Sequence, residues 1–238
     1  MGEVIEVEGS VKNLGYIIDE NLSMEKQINQ VCSQGYGMLR NLWKISKKVT
    51  DRSLRTQLIH SGILSKVDYC NSLYTSLPKT QTKKLQKLIN SAVRFIFNIK
   101  IRYNSRTDVY EHEHITPYLR QLHFLPIQYR AQFKLCLLTY KSIHNINNSN
   151  NSPLYLQELI DLRKPNDNQR LRIDNDKSLL AYKTPYPQEY RNRGFSFASP
   201  KHWNRLPASV RESSSVSTFK RHLKTFYFTQ WTNSLQSI

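Results

Sequence analysis

The residues of this 238-residue chain best suited to bind a metal or to transfer protons lie at positions 111–114, which read Glu-His-Glu-His. His123 follows nearby. Two histidines separated by one residue can share one side of a β-strand and can both ligate zinc. No third and fourth ligand follows at a spacing typical of a zinc site. The segment is therefore interpreted as surface, and the sequence predicts no metal and no cofactor.

Catalytic motifs of other kinds are missing from the sequence. It contains none of the patterns GxxxxGK[ST], GxGxxG, HExxH or GxSxG, which mark phosphate loops, dinucleotide sites, zinc proteases and serine hydrolases. A two-metal site needs paired carboxylates, but Asp19, Asp51 and Asp68 are far apart in the sequence. Asp174 and Asp176 lie in an Asn-rich stretch where water is their expected partner. The chain alone is predicted to be non-catalytic.

The cysteines and the N-terminal residues bear on the cellular compartment. Cys32, Cys70 and Cys136 match no CxxC spacing, so they are interpreted as reduced structural thiols. Glutamates occupy the start of the chain, where a secretory signal needs a basic segment and then an apolar one. No apolar run approaches the roughly twenty residues of a membrane-spanning helix. We expect a cytoplasmic or nuclear protein that makes no use of a membrane.

Positive charge dominates the composition and is concentrated in two regions. The chain has 35 basic and 18 acidic side chains, which give a net charge of +17. Residues 26–106 carry sixteen bases and two acids, residues 162–238 carry fourteen and five, and the region between them is nearly neutral. Fields of this sign attract phosphate backbones, so nucleic acid is the expected partner. A merely solvated basic surface is an alternative, whereas a membrane surface is disfavoured because the apolar helix faces are needed for a core.

Residue patterns predict a hairpin followed by helices. Polar and apolar residues alternate on both sides of Gly9-Ser10, which predicts a β-hairpin over residues 1–22. Apolar residues then recur at spacings of three and four, which predicts a helical domain over residues 23–147. Its first three helices are expected at about 24–48, with Asn21 or Ser23 as the cap, from Thr50 or Asp51 toward Lys66, and from Thr80 to about Asn98.

The second half of the chain is less regular. Pro126 suits the first turn of a helix that ends near His144. An Asn- and Ser-rich run at 145–152 is the predicted linker, with a boundary near 148. Residues 148–238 are expected to form a small irregular segment with short helices, the first opened by Pro153 and the last capped by Ser217. The predicted fold class is therefore mainly α, with an N-terminal β-hairpin, a helical bundle and an irregular α-helical C-terminal segment.

Two of the predicted helices carry basic residues on the side opposite their apolar residues. Such rows are well matched to a phosphate backbone, because lysine and arginine position a strand without reading its sequence. A basic row can also be the ordinary solvated side of an amphipathic helix. The candidate nucleic-acid-binding residues are Lys26, Arg40, Lys44 and Lys47 on the first helix, and Lys83, Lys87 and Arg94 on the third.

Five segments, in order, resemble the C-terminal part of the reverse transcriptase of non-LTR retrotransposons, the LINE-like elements of the jockey and CR1 type. The resemblance covers roughly residues 11–228. The segments are VKNLGYIID at 11–19, VDYCNSL at 67–73, KLQKLINSAVR at 84–94, LHFLPI at 122–127 with Arg130, and FSFASPKHWNRLP at 195–207.

The resemblance implies a fold and a function. Leu14, Gly15 and Tyr16 match the primer grip at the end of the polymerase palm, and the helices that follow resemble the thumb, which closes on an RNA/DNA template–primer duplex. The family's Asp-Asp loop, the rest of the palm and the endonuclease have no counterpart here. We therefore expect a truncated reverse-transcriptase fragment that binds template and primer, and whose partners are the missing palm and endonuclease regions of the parent polyprotein.

The alternative function for the chain is a helical protein–protein interaction module whose basic surface is only solvated.

The role of Trp203 is a separate question, since its ring is able to stack on a base. We favour an anchoring role for Trp203, because tryptophan is usually largely buried.

Overall fold

The computed structural model describes residues 9–99, 102–104, 109–111, 113–144, 153–163, 178–181 and 194–236. It is mainly helical, with 69% helix and 6% strand, and begins with a two-stranded antiparallel hairpin, which confirms the predicted fold class. Contacts divide the chain into two compact units. Unit 1 comprises residues 1–70 and 77–127, and unit 2 comprises residues 71–76 and 128–238. The predicted boundary near 148 falls outside the described residues.

The N-terminal hairpin of unit 1 has a two-residue loop. Strand β1 (Ser10–Asn13) pairs antiparallel with β2 (Tyr16–Asp19), and Asn13 lies opposite Tyr16. The loop residues Leu14 and Gly15 have φ angles of 47° and 84°. Two consecutive positive φ angles define a type I′ turn, which matches the right-handed twist of the strands. Gly15 adopts this conformation without strain, whereas Leu14 does not.

Asp19 connects the hairpin to the first helix. Helix α1 (Glu25–Lys44) follows Met24, a left-handed residue with a φ of 60° that makes no side-chain cap. The Asp19 carboxylate accepts hydrogen bonds from the amides of Ser23 and Met24, at 2.7 and 2.8 Å. Met24, rather than the predicted Asn21 or Ser23, occupies the N-cap position. The Ser23 hydroxyl nevertheless accepts a hydrogen bond from the first helical amide, that of Glu25, at 3.2 Å, so the prediction for Ser23 is confirmed in part.

The second predicted helix is present but is interrupted by a π-helical turn. Helix α2 (Arg52–Ile59) leads into this turn (His60–Leu64), and α3 (Ser65–Asp68) continues from it. Asp51 caps α2, as predicted: its carboxylate accepts hydrogen bonds from Ser53 N and Leu54 N. Helix α4 (Lys79–Phe97) matches the third predicted helix to within about one residue at each end.

The end of unit 1 contains elements that the residue patterns do not predict. Strand β3 (Arg102–Asn104) pairs antiparallel with β4 (Val109–Glu111), and a short helix α5 (Thr116–Gln121) follows. Each of these elements has six residues or fewer. Segments this short contain fewer than two helical or strand periods, so sequence periodicity carries little information about them.

Unit 2 contains helices and one isolated β-bridge. A 3₁₀-helix (Asn71–Ser76) belongs to this unit, as does nearly all of helix α6 (Ile127–His144). The bridge pairs Leu162 antiparallel with Leu180. The other helices in the described part of unit 2 are α7 (Leu154–Glu158), α8 (Phe195–Trp203), α9 (Ala208–Arg211) and α10 (Val216–Gln236).

Aromatic side chains form the centre of unit 2. The rings of Tyr140 and Phe219 stack with centroids 4.2 Å apart, and Trp203 lies 5.9 Å from Phe219. Trp203 is 1% exposed, and its indole N–H donates to the carbonyl of Ser178 at 2.8 Å. Its burial and this hydrogen bond confirm the expected anchoring role. The next residue, Asn204, binds both the N–H and the carbonyl of Leu180, each at 2.9 Å.

Within the described ranges, no helix combines the length and the apolar character needed to cross a membrane.

Candidate nucleic-acid interface

Helices α1 and α4 lie side by side and run in the same direction. Near their beginnings, the Lys84 ammonium lies 3.5 Å from the Glu25 carboxylate. Near their ends, the rings of Trp43 and Phe95 meet edge to face, with centroids 5.4 Å apart. Because the N-terminal parts of the two helices contact each other, and so do their C-terminal parts, the helices are parallel.

Gly35 allows a close approach in the middle of this pair. A methyl group added at Gly35 would lie 2.7 Å from Cδ2 and 2.8 Å from Cδ1 of Leu88, which is itself fully buried. The line of contacts through Glu25, Gly35 and Trp43 on α1 is called the seam. Both helices bury an apolar face beside the seam, with Ile28 and Leu39 on α1 and Leu85 and Ile89 on α4 among its buried residues.

The predicted basic residues lie on the solvent side of these helices. Lys26, Arg40 and Lys44 are exposed on α1 and form what is called the α1 row. Lys83 and Lys87 are exposed on α4 and Arg94 is partly exposed, and these three form the α4 row. Helix α1 ends at Lys44, so the exposed Lys47 lies in the turn after the helix and outside the α1 row.

Both rows open onto one side of the helix pair. Each residue of a helix is rotated by 100° from the one before it. On both helices this rotation places the basic residues on one side of the seam and the buried apolar residues on the other. Since the helices are parallel and share one buried side, the two basic sectors lie next to each other across the seam. Neighbouring helix axes are about 8–10 Å apart, so the two rows form one surface, called the basic face.

The charges of the basic face are not neutralised by carboxylates. Among the described residues, no member of either row forms an ion pair. Lys26 donates a hydrogen bond to the Ser10 hydroxyl at 2.9 Å, which leaves its charge uncompensated. The Nε atom of Arg94 is buried and has no hydrogen-bond partner among the described residues. A surface with this charge is suited to phosphate.

Two residues of this surface are not among the nucleic-acid-binding residues predicted from the sequence. Lys84 lies at the seam, where its ammonium contacts Glu25 and donates to the Asn29 side chain at 2.9 Å. Tyr36 lies on the seam beside the α4 row and is 40% exposed. Burial raises the pKa of the Tyr36 hydroxyl, while a hydrogen bond with Ser91 and the charge of Arg94 oppose that rise. Only the pairing of α1 with α4 reveals these positions, and the sequence gives no direct signal for that pairing.

The primer-grip-like residues lie at the tip of the hairpin. Leu14 is 88% exposed and Gly15 is exposed, whereas Tyr16 is 4% exposed. The Tyr69 hydroxyl donates to the Leu14 carbonyl at 2.6 Å, and the Tyr69 ring lies 6.5 Å from that of Tyr16. Leu14 and Gly15 are therefore accessible to a ligand, and Tyr16 supports the tip from inside.

Asp19 fixes the hairpin in front of α1. Burial opposes ionisation of this carboxyl, but the hydrogen bonds from Ser23 and Met24 outweigh burial and hold its pKa below the ordinary value. The amide of Ile17 donates to the side chain of the buried Gln27 on α1 at 3.0 Å. These contacts hold the hairpin tip and the start of the α1 row within one unit.

The potential metal ligands and the cysteines do not form a reactive site within the described residues. Over the described ranges no three potential metal ligands come together, and His112 of the His-x-His segment lies outside those ranges. All three cysteines are free thiols, as predicted. Cys136 lies 3.4 Å from the Tyr227 hydroxyl, and burial raises its pKa to about 12. A thiol with this pKa is a poor nucleophile.

Comparisons of the chain with protein-family models, with curated proteins and with solved structures found no match. The resemblance to non-LTR reverse transcriptases therefore stays a prediction based on the five sequence segments.

Proposed function

We propose that this chain binds template–primer nucleic acid through the basic face of unit 1, in the manner of the thumb of a non-LTR reverse transcriptase. The observation that carries this proposal is the pair of cationic rows on one side of α1 and α4, without carboxylate partners among the described residues. Contacts of this kind hold a backbone without reading its sequence. Leu14 and Gly15 at the hairpin tip are the proposed contact for the primer.

In this proposal the chain supplies no catalytic group. Polymerisation requires carboxylates that hold two metal ions, and the sequence has no Asp-Asp pair. The proposed partners are therefore the nucleic acid and the palm and endonuclease regions of a polymerase of this family. A cytoplasmic or nuclear location is part of the same proposal.

A salt titration tests the basic face. The probe is a fluorescein-labelled RNA/DNA hybrid of about 16 base pairs, with its affinity measured by anisotropy between about 50 and 300 mM NaCl. The test variant is K83Q/K87Q/R94Q, which removes the α4 row. We expect the slope of log affinity against log salt to become shallower by about 3, since each phosphate contact contributes about 1.

The matched control removes the same number of charges elsewhere in unit 1. The variant K12Q/R52Q/K66Q changes three exposed cations that lie outside the basic face. It is expected to change the salt slope by less than about 1. Equal effects of the two triple variants, or tight binding that survives both high salt and loss of the α4 row, would contradict the proposal and favour a protein–protein interaction module.

A further inference from the structure

Tyr36 is an aromatic residue of α1 that lies on the seam between the two basic rows. It follows Gly35, where α1 approaches α4 closely, and it keeps 40% of its surface exposed. In a helix, the neighbours of a side chain lie three and four positions away. For Tyr36 these include Arg40 on α1, while Arg94 of the α4 row acts on its hydroxyl from across the seam.

The surface of α1 around the Tyr36 ring is made of small residues. Cys32 and Ser33 lie one turn before it, and Gly37 follows it directly. A methyl group added at Gly37 would meet no atom within 4 Å, so α1 is open to solvent at this position. Tyr36 is itself 40% exposed, so a planar ligand can reach its side chain from solvent.

The ring is also held in place by its hydroxyl. Ser91 on α4 forms a side-chain hydrogen bond with Tyr36, and the Ser91 hydroxyl donates in turn to the carbonyl of Lys87 at 3.0 Å. This chain of hydrogen bonds links the ring to the backbone of the α4 row. A side chain that is already ordered loses less conformational entropy when it binds a ligand.

We propose that Tyr36 is a stacking platform for an unpaired nucleobase, and that the basic face therefore holds single-stranded nucleic acid as well as duplex. The inference rests on the proposed function, since the α1 and α4 rows would hold the phosphates on either side of the stacked base. Proteins that bind single strands combine cationic grooves with aromatic side chains in this way.

The experiment compares two probes of equal length and charge. One is a fluorescein-labelled oligothymidylate of about 12 nucleotides, and the other is the same strand with abasic sites in place of the bases. The variant Y36A removes the ring, and Y36F keeps the ring but loses the hydroxyl. We expect Y36A to weaken binding of the oligothymidylate about tenfold and binding of the abasic strand less than about twofold. Y36F is expected to bind the oligothymidylate with an affinity between those of the unmodified chain and Y36A, because its ring remains but is no longer ordered by the hydroxyl.

The outcomes separate this inference from the proposed function. If Y36A weakens binding of both probes equally, or of neither, the stacking role is wrong while the basic face stands. If the unmodified chain binds the RNA/DNA hybrid but neither single strand at low salt, this inference alone is wrong, and if it binds none of the three probes, both proposals are wrong. Circular dichroism and thermal melting of Y36A and Y36F check that the variants remain helical, and a tenfold loss confined to the base-bearing probe in a folded Y36A protein supports the inference.

Discussion

The guanidinium of Arg55 donates a hydrogen bond of 3.1 Å to the carbonyl of Phe95 and lies 5.2 Å from the centroid of its ring. Arg55 is 5% exposed, and it also donates to the carbonyls of Ser46 and Val49, at 2.8 and 2.7 Å. Phe95 lies in the last turn of α4, whereas Ser46 and Val49 lie in the segment between α1 and α2. One cation therefore links the segment that follows α1 to the C-terminal end of α4.

Replacement of Arg55 by methionine is expected to lower the free energy of unfolding of unit 1 by about 3 kcal/mol, because one buried and two partly buried carbonyls lose a charged donor. Urea unfolding followed by circular dichroism measures this change. Arg52 provides a control on the same helix: it is exposed, with its guanidinium 4.6 Å from the Phe97 ring. R52M is expected to cost less than about 1 kcal/mol. A loss for R55M no larger than that for R52M would contradict the linking role of Arg55.

The elements that position the basic face were largely predictable, because long amphipathic helices have a strong sequence period. The period of three and four located α1 and α4, and Asp51 marked the start of α2. The N-terminal caps of helices were less predictable where the capping side chain lies several residues before the helix. Asp19, five positions before Met24, accepts from the Met24 amide, and Ser23 contributes only through its contact with the Glu25 amide. The predicted cap of the last helix was also misplaced: the amide of Thr218 donates to Ser215 rather than to Ser217.

The candidate site itself was predictable only in part. Each row follows from the geometry of one helix, so the sequence is sufficient to list its members. The alignment of the two rows depends on the parallel packing of α1 on α4, which Gly35 and Leu88 determine through close contact. Lys84 and Tyr36 acquire their positions only through that packing. Arg55 resembles any other basic residue of α2 in the sequence, and its burial is a tertiary property.

Gly35 and Gly37 make a matched pair for testing the close approach. Alanine at Gly35 would place a methyl group 2.7 Å from the buried Leu88 side chain, whereas alanine at Gly37 would meet nothing within 4 Å. We expect G35A to lower the free energy of unfolding by about 1–3 kcal/mol through overpacking. In contrast, G37A is expected to raise it by up to about 1 kcal/mol, because alanine is the better helix former. Thermal melting of the two variants checks these signs, and equal stabilisation by both would show that α1 and α4 are not tightly packed at Gly35.

His202 makes the stability of unit 2 depend on pH. Burial, with Lys201 and Arg205 adding to it, lowers the pKa of His202 from 6.5 to about 4. Between these values the unfolded chain binds a proton that the folded chain does not, so stability is lost as the pH falls from about 6.5 to about 4. The loss amounts to at most roughly 3 kcal/mol at the acidic end of that window.

Urea unfolding at a series of pH values measures this contribution. H202Q removes the titrating group and is expected to flatten the pH dependence between about pH 6.5 and 4. The control is H114Q, which changes an exposed histidine of unit 1 and is expected to leave the dependence unchanged. A pH profile that H202Q does not alter would show that the pKa of His202 does not differ between the folded and the unfolded chain.

Glu25 is a carboxylate at the seam beside the basic face, 3.5 Å from Lys84. The variant E25Q leaves the charge of Lys84 uncompensated and so extends the cationic surface between the two rows. We expect it to bind the RNA/DNA hybrid several-fold more tightly, with a salt slope steeper by up to about 1. The pair is half-exposed and therefore contributes at most about 1 kcal/mol to folding, so E25Q should unfold at nearly the same temperature.

The control for E25Q is E20Q, because Glu20 is an exposed carboxylate between β2 and α1 and its loss changes the net charge by the same amount. Anisotropy titrations of both variants then separate the effect of a charge at the seam from the effect of the net charge of the chain. If the basic face is the binding surface, E25Q changes affinity more than E20Q does. Equal gains in affinity would mean that the overall charge of the chain, rather than the arrangement of α1 and α4, governs its attraction to nucleic acid.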